Sequence, residues 1–274
     1  MARKKLSKII PSNAVGGQGN SALAILIGGT VGIAGGSGTV MAGPTGGQIT
    51  NGQGSISTPS DVATVIDQSS HSLSIDWRSF DIAANESVRF NQPTTNSVAV
   101  NRILDQKPSE IFGRLDSNGR VVLVNSNGVL FGAGSQVNVG SLAATSLNVV
   151  SFDETTGRLS LSAAGTPGAI VNDGTITAGP NGSVSLVGGS VANNGLIVAE
   201  FGSVNLAAGR AATIDFYGGG LLRFDADSSL TQNATGAIAG VSNAGQIEAN
   251  GGQVLLTTSA ARNVFDRAIN NDGV

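Results

Sequence analysis

No cysteine occurs among the 274 residues, and the chain has one Trp, one Tyr and one His. Without disulfides it stands outside the small secreted domains that staple a deficient core, although export itself needs no cysteine. The single histidine, His71, leaves only one place for a Ser/His/Asp triad or a zinc site, and nothing around it has ligand spacing; it reads as an exposed polar residue. Charged residues make up only 12% of the chain, low for a cytoplasmic enzyme, with 15 Lys+Arg against 18 Asp+Glu. After Lys8 the only lysine is Lys107, so clustered cations for phosphates are missing and nucleic acid is not the partner. The glycine-rich runs Gly16-Gly-Gln-Gly19 and Gly35-Gly-Ser-Gly38 lack the Gly-Lys-Ser/Thr of a phosphate loop. Helix-period patterning is also absent, which argues against βαβ units.

What the chain has in quantity is glycine, 40 residues, beside 40% hydrophobic residues. That composition fits a turn-dense all-β protein with enough apolar mass for a core. The stretch Asp116-Ser-Asn-Gly-Arg-Val-Val-Leu-Val-Asn-Ser-Asn-Gly-Val-Leu-Phe-Gly132 holds two strand-sized apolar runs, Val121 to Val124 and Val129 to Phe131. Each run follows an Asn-Gly step, and Asn and Gly tolerate the left-handed backbone of a tight corner. The pattern Asn-x-Gly-x-(Ile/Leu)-x-Ala, then Gly-x-Val-x-Leu, recurs from Asn172/Gly174, from Asn193/Gly195 and from Asn243/Gly245, and reopens at Asn271. Asn118/Gly119 begins an earlier half-copy. The Gly-to-Gly steps are 21, 50 and 28 residues.

Each unit offers two short strands with period-2 alternation. A unit of about 20 residues cannot bury its apolar face alone, whereas a stack of them buries a continuous core. The expected fold is therefore all-β, a parallel β-helix with Val, Ile and Leu inside and Asn/Gly at the corners. Coils would stack at about 4.8 Å, and the 50-residue step would hold an insertion outside the helix. An antiparallel sandwich or barrel competes; a fixed motif at a near-fixed period favours the coil.

The division expected along the chain is 1–42 as a signal peptide, 43–110 as an N-terminal cap with the first coils, and 111–274 as β-helix coils. Arg3, Lys4, Lys5 and Lys8 precede the apolar Ala22–Ala34 and the small-x-small site Val40-Met-Ala42, the three parts of a secretory signal. Without it the chain keeps 11 Lys+Arg against 18 Asp+Glu, a net charge of −7. Gly43 to Gly54 reads as a loosely held start. An open first coil needs a cover over its apolar end and its strand edge, and the less regular stretch up to about residue 110, with the only Trp, supplies candidates.

Several segments in order resemble the two-partner secretion (TPS) domain found at the head of filamentous haemagglutinin and high-molecular-weight adhesins of Gram-negative bacteria. They are Ile75-Asp-Trp-Arg-Ser-Phe-Asp-Ile82, Val88-Arg-Phe-Asn-Gln-Pro93, Val98-Ala-Val-Asn-Arg102, Gly113 to Gly132, and Ala211 to Phe224. The resemblance implies a right-handed parallel β-helix with an N-terminal cap. It also implies passage through the periplasm to the cell surface or medium, by way of an outer-membrane β-barrel transporter with periplasmic binding domains. The family's Asn-Pro-Asn-Gly motif maps onto Asn125-Ser126-Asn127-Gly128, where Ser replaces Pro and the fixed φ is lost. The family's Asn-Arg step maps onto Asn101-Arg102. These five residues, Asn101, Arg102, Asn125, Asn127 and Gly128, are the candidates for transporter recognition and folding.

Three functions compete. The first is a secretion-targeting module at the head of a larger exoprotein, each coil templating the next during export, with no cofactor or metal and any host-cell ligand bound by the region beyond it. The second is a solenoid that itself binds a host protein or a haem carrier. The third is a carbohydrate-active β-helix enzyme, which needs clustered carboxylates on one face; Asp225 and Asp227, with Arg223 and Asp215, are the best available cluster. A solvated face explains that cluster more simply, and the chain is expected not to be an enzyme.

Overall fold

The computed structural model describes residues 43–217, 220–224, 229–234 and 236–274. The expected signal at 1–42 and the carboxylates of Asp225 and Asp227 lie outside these residues. Within them the chain winds as a parallel β-helix with three faces per coil, one more than the repeat suggests. One complete coil runs through Ser109–Ile111 on the first face, Arg114–Ser117 on the second and Arg120–Val124 on the third. The next runs through Gly128–Phe131, Gln136–Val139 and Ser141–Thr145. Strands on each face pair in parallel with those of the coils before and after. The first-face strands, such as Ala169–Asn172 and Ser190–Asn193, end on the repeated Asn. Being four residues long, they carry too little alternation to be seen as strands in the sequence.

Register explains the repeat. Val121, Leu142, Val184, Val204 and Val254 stand one above another, as do Ile176, Ile197 and Ile247. Most of these side chains have no exposed surface. One-residue slippage would turn every one of them outward, so the pattern pins the register. Near the start the same core holds larger side chains: Trp77 and Phe80 meet edge to face at 5.5 Å, and Phe90 and Phe131 are fully buried in the same core.

The repeated glycines have a different cause from the one their sequence suggests. Gly119, Gly174, Gly195 and Gly245 do not adopt positive φ. A Cβ at Gly195 would lie 2.1 Å from the Gly174 carbonyl oxygen, one at Gly245 equally close to Gly195, and one at Gly202 only 1.7 Å from Gly182. Corners of successive coils therefore touch main chain to main chain, and it is the missing side chain that matters.

The first turns are closed by reversal of direction. Gln48–Asn51 lies antiparallel on Ser72–Trp77, and Gly54–Ser60 antiparallel on Ala63–Gln68. These two strands occupy the edges that the first parallel coil would otherwise leave open. Part of the Gly43–Gly54 stretch is thus a paired strand, and Thr45 is bonded to Ser79, not a loose end.

The 50-residue step does hold an insertion, and a second one precedes it. Asn148–Asp153 and Arg158–Ser162 leave the helix after one coil, and Ala211–Asp215 and Leu221–Phe224 leave it two coils later. Together they form one antiparallel four-stranded sheet outside the helix. Its Leu159, Leu161, Ile214 and Leu222 pack on Val98, Val100, Val122 and Val124 of the third face. That face is consequently buried on both sides, and the simple alternation expected of it fails. The unbroken Val-Val-Leu-Val of 121–124 is the trace of this in the sequence, because strands covered on both faces read as continuous apolar runs.

Candidate functional site

Two arrangements of asparagines stand at the corners of the coils. Asn172, Asn193, Asn243 and Asn271 occupy equivalent positions at the ends of first-face strands. The amide of Asn172 donates to Asn193 Oδ1, Asn193 to Asn243 and Asn243 to Asn271, each at 2.8 Å. A side-chain amide has both donors and an acceptor, so identical residues can hand one hydrogen bond along a column. Inside the core an unpaired amide would be costly, and the ladder satisfies each in turn.

The segment Asn125–Gly128 sits at the corner between the third and first faces. Asn125 is fully buried. Its Nδ2 donates to the Lys107 carbonyl at 2.9 Å and to Ser109 Oγ at 3.1 Å, and its Oδ1 accepts the Asn127 backbone N–H at 3.0 Å. Asn127 in turn donates from Nδ2 to the Asp105 carbonyl at 2.8 Å. Both amides thus hold the corner of the preceding coil, residues 105–109, by the Asp105 and Lys107 carbonyls and the Ser109 hydroxyl. The Gly128 N–H closes the turn onto the Asn125 carbonyl at 2.9 Å. Gly128 has φ +116°, and a Cβ there would lie 2.4 Å from the Ala169 carbonyl oxygen. This is the one glycine of the motifs that needs its conformational freedom. Ser126 is exposed, and its carbonyl accepts the Gly168 N–H of the following coil.

Asn101 and Arg102 point in opposite directions from one strand. Asn101 is fully buried, accepts the Trp77 indole N–H at 2.9 Å and donates to the Ala99 and Val122 carbonyls. Arg102 faces solvent and grips Asp76 with two bonds, of 2.7 and 2.9 Å. Exposed pairs of this kind contribute about 0.5 kcal/mol. Arg102 is in register with Val124, so the Arg102–Asp76 pair lies one coil from the Asn125 corner. The five candidate residues share one edge of the helix; of them only Arg102 is exposed, Asn127 being half-buried.

At the opposite corner Asn118 exchanges two hydrogen bonds with the Gln92 main chain, at 2.7 and 2.8 Å, and a Cβ on Gly119 would strike Gln92. His71 is exposed but bonded: its Nε2 lies 3.1 Å from the Tyr217 hydroxyl. Asp215 ends an outer-sheet strand near Arg158, at 3.7 Å. Nothing in the sequence singles out Arg120. It is buried at the start of a third-face strand, its guanidinium 4.9 Å from the Tyr217 ring centroid and 5.7 Å from that of Phe216. Burial pulls its pKa below the ordinary arginine value, and Tyr217 opposes the shift. No signal in the sequence joins residues so far apart.

A three-faced helix with an antiparallel cap, an outer sheet and an Asn corner defines a secretion domain of the two-partner type. The family model for the TPS secretion domain matches residues 40–274, and the chain belongs to that family. Exoproteins that carry this domain are exported across the outer membrane by a partner transporter. The structure is similar to the HMW1 secretion domain from Haemophilus influenzae, at 30% identity and TM-score 0.68, over 84% of this chain and 57% of that one. Among curated proteins it is similar to a heme/hemopexin-binding protein of Haemophilus influenzae, 41% identical over 111 residues. A second protein of that name is 42% identical over 89 residues. The matches span 40% and 32% of this chain but only 12% and 10% of those relatives.

Proposed function

We propose that this chain is the N-terminal targeting domain of a larger exoprotein, recognised by the periplasmic binding domains of its outer-membrane β-barrel transporter. In this reading residues 1–42 are a signal peptide, 43–110 the cap and first coils, and 111–274 the coils that follow. Asn125, Asn127 and Gly128, with Asn101 and Arg102, form the element that export depends on. The observation that carries it is the inward-turned Asn125 corner, whose two amides each bind a main-chain carbonyl of the coil beneath, Lys107 for Asn125 and Asp105 for Asn127, with the Ser109 hydroxyl as a further partner of Asn125. Main-chain carbonyls are present whatever side chains the lower corner has, so the tie can form as soon as that corner emerges. The corner's function is then to lock a newly formed coil, while Arg102, Asp76 and Ser126 offer the surface a partner can touch. Stacked coils need only their neighbours to fold, so each locked coil opposes back-sliding without any nucleotide energy.

The test is co-expression with the partner transporter. Replacing Asn125 and Asn127 together by Ala lowers the amount of chain in the medium while the chain still accumulates in the cell. Normal export of that double variant would remove both residues from the site. A second reading concerns the whole exoprotein. The name of the two relatives favours binding of haem or a haem carrier, performed by regions beyond this domain; capture of haem-loaded carrier by full-length protein, but not by these 274 residues, would support it.

A further inference from the structure

A groove of about 930 Å³ runs between the tip of the outer sheet and the corners joining the second and third faces. Among the described residues no Asp or Glu lines it, in a chain with 18 acidic residues. Its one charged group is the Arg120 guanidinium, which has no carboxylate partner among the described residues. Two of its five N–H groups reach Asn96, at the carbonyl (3.1 Å) and at Oδ1 (2.8 Å), both neutral acceptors. The Tyr217 and Phe216 rings hold the guanidinium plane in place, so it is pre-organised and not fully paired. Around it the walls carry uncharged hydroxyls and amides, Thr95, Asn138, Thr177 and Asn181 among them, with the half-exposed Tyr217 ring at one end.

We propose that this groove binds an acidic saccharide: a sugar carboxylate against Arg120, ring hydroxyls against the amide and hydroxyl walls, and a sugar face against Tyr217. A peptide fits the same groove poorly. The strands behind it, Arg114–Ser117, Gln136–Val139 and Thr175–Ala178, are paired on both sides and cannot accept an added strand. The groove also lacks the deep apolar pocket that would anchor a peptide side chain.

The test is titration calorimetry of the full 274-residue chain with short oligogalacturonates, neutral oligogalactose of equal length, and oligoglutamate. Saturable binding of the oligogalacturonate is expected, with each of the other two weaker by about tenfold or more. R120K keeps the charge but loses the planar fork, and binding falls about tenfold. Thr177 points outward from its strand, so T177E leaves the core and Arg120 in place yet sets a repelling carboxylate in the groove; it abolishes binding without moving the thermal midpoint. Binding of neutral and acidic sugar alike, equal binding of oligoglutamate, survival of binding in folded T177E, or no binding at millimolar sugar would each overturn the assignment.

Discussion

The asparagine ladder and the Asn125 corner solve the same problem, a buried polar group at a bend, in ways that differ in kind. In the ladder each amide binds the amide of the next coil, so Asn193 and Asn243 are each both donor and acceptor, while Asn172 opens the column as donor and its Oδ1 accepts the Gly174 N–H. Any number of coils can be added, provided each brings an Asn. At the corner, Asn125 and Asn127 bind carbonyls of the coil beneath, and no matching Asn is needed below. The ladder is a repeating element that depends on its own kind, and the corner is a single tie that does not. The residues below and above show it: Ile111, Phe131 and Asn172 share one register column, so the ladder begins one coil after the corner.

Four substitutions separate the two devices from the packing they share. The largest effect is expected from Gly202→Ala, whose added Cβ would meet the Gly182 carbonyl at 1.7 Å. Forcing coils apart costs about 3 kcal/mol or more, visible as a lower denaturant midpoint. Next comes Asn193→Ala, in the middle of the ladder, which removes the partner of both Asn172 Nδ2 and Asn243 Oδ1. Orphaning buried amides costs about 1–3 kcal/mol each, and equilibrium unfolding measures the sum. Asn125→Ala should cost about 1–2 kcal/mol, less than the ladder variant, because of the two partners its Nδ2 abandons the Lys107 carbonyl belongs to an exposed residue that water can reach, and only the Ser109 hydroxyl is buried. If Asn125→Ala proves the more damaging, the distinction between tie and ladder is wrong. The smallest effect is Ser126→Pro. The Ser126 N–H has no acceptor among the described residues, so the ring removes no hydrogen bond seen there, and restricting the unfolded state should stabilise by about 0.5 kcal/mol. A fall in melting temperature would show that the corner holds a φ that proline cannot take.

How far these features could be read in the sequence follows from the range of the interactions. Stacking of identical positions is written as a repeat, so the ladder residues Asn172, Asn193 and Asn243 and the glycine columns are visible as spacing. The reason for the glycines was not legible, since φ > 0 and a crowding main chain both select Gly, and only coordinates separate them. The third face per coil was hidden by four-residue strands. The outer sheet was half visible: a long step marked the Ala211–Phe224 excursion, whereas Asn148–Ser162 falls before the first full copy of the repeat, where no expected spacing exists for it to break. Pairing of these two excursions into one sheet depends on contacts such as Leu161 with Ala212, which local pattern does not carry. For the corner, the residue names were legible through resemblance, but the inward turn of Asn125 and the outward turn of Arg102 were not, because carbonyl partners such as Asp105 and Lys107 leave no mark on residue type.

The most direct measurement compares export at matched stability. Asn193→Ala and the Asn125/Asn127 double alanine are each combined, where needed, with a neutral stabilising change until their unfolding midpoints coincide, and both are secreted through the same transporter. If the corner is the tie that export uses, the corner variant reaches the medium several-fold less than the ladder variant. Equal amounts in the medium would mean that fold stability alone governs export and that Asn125 and Asn127 have no role beyond it.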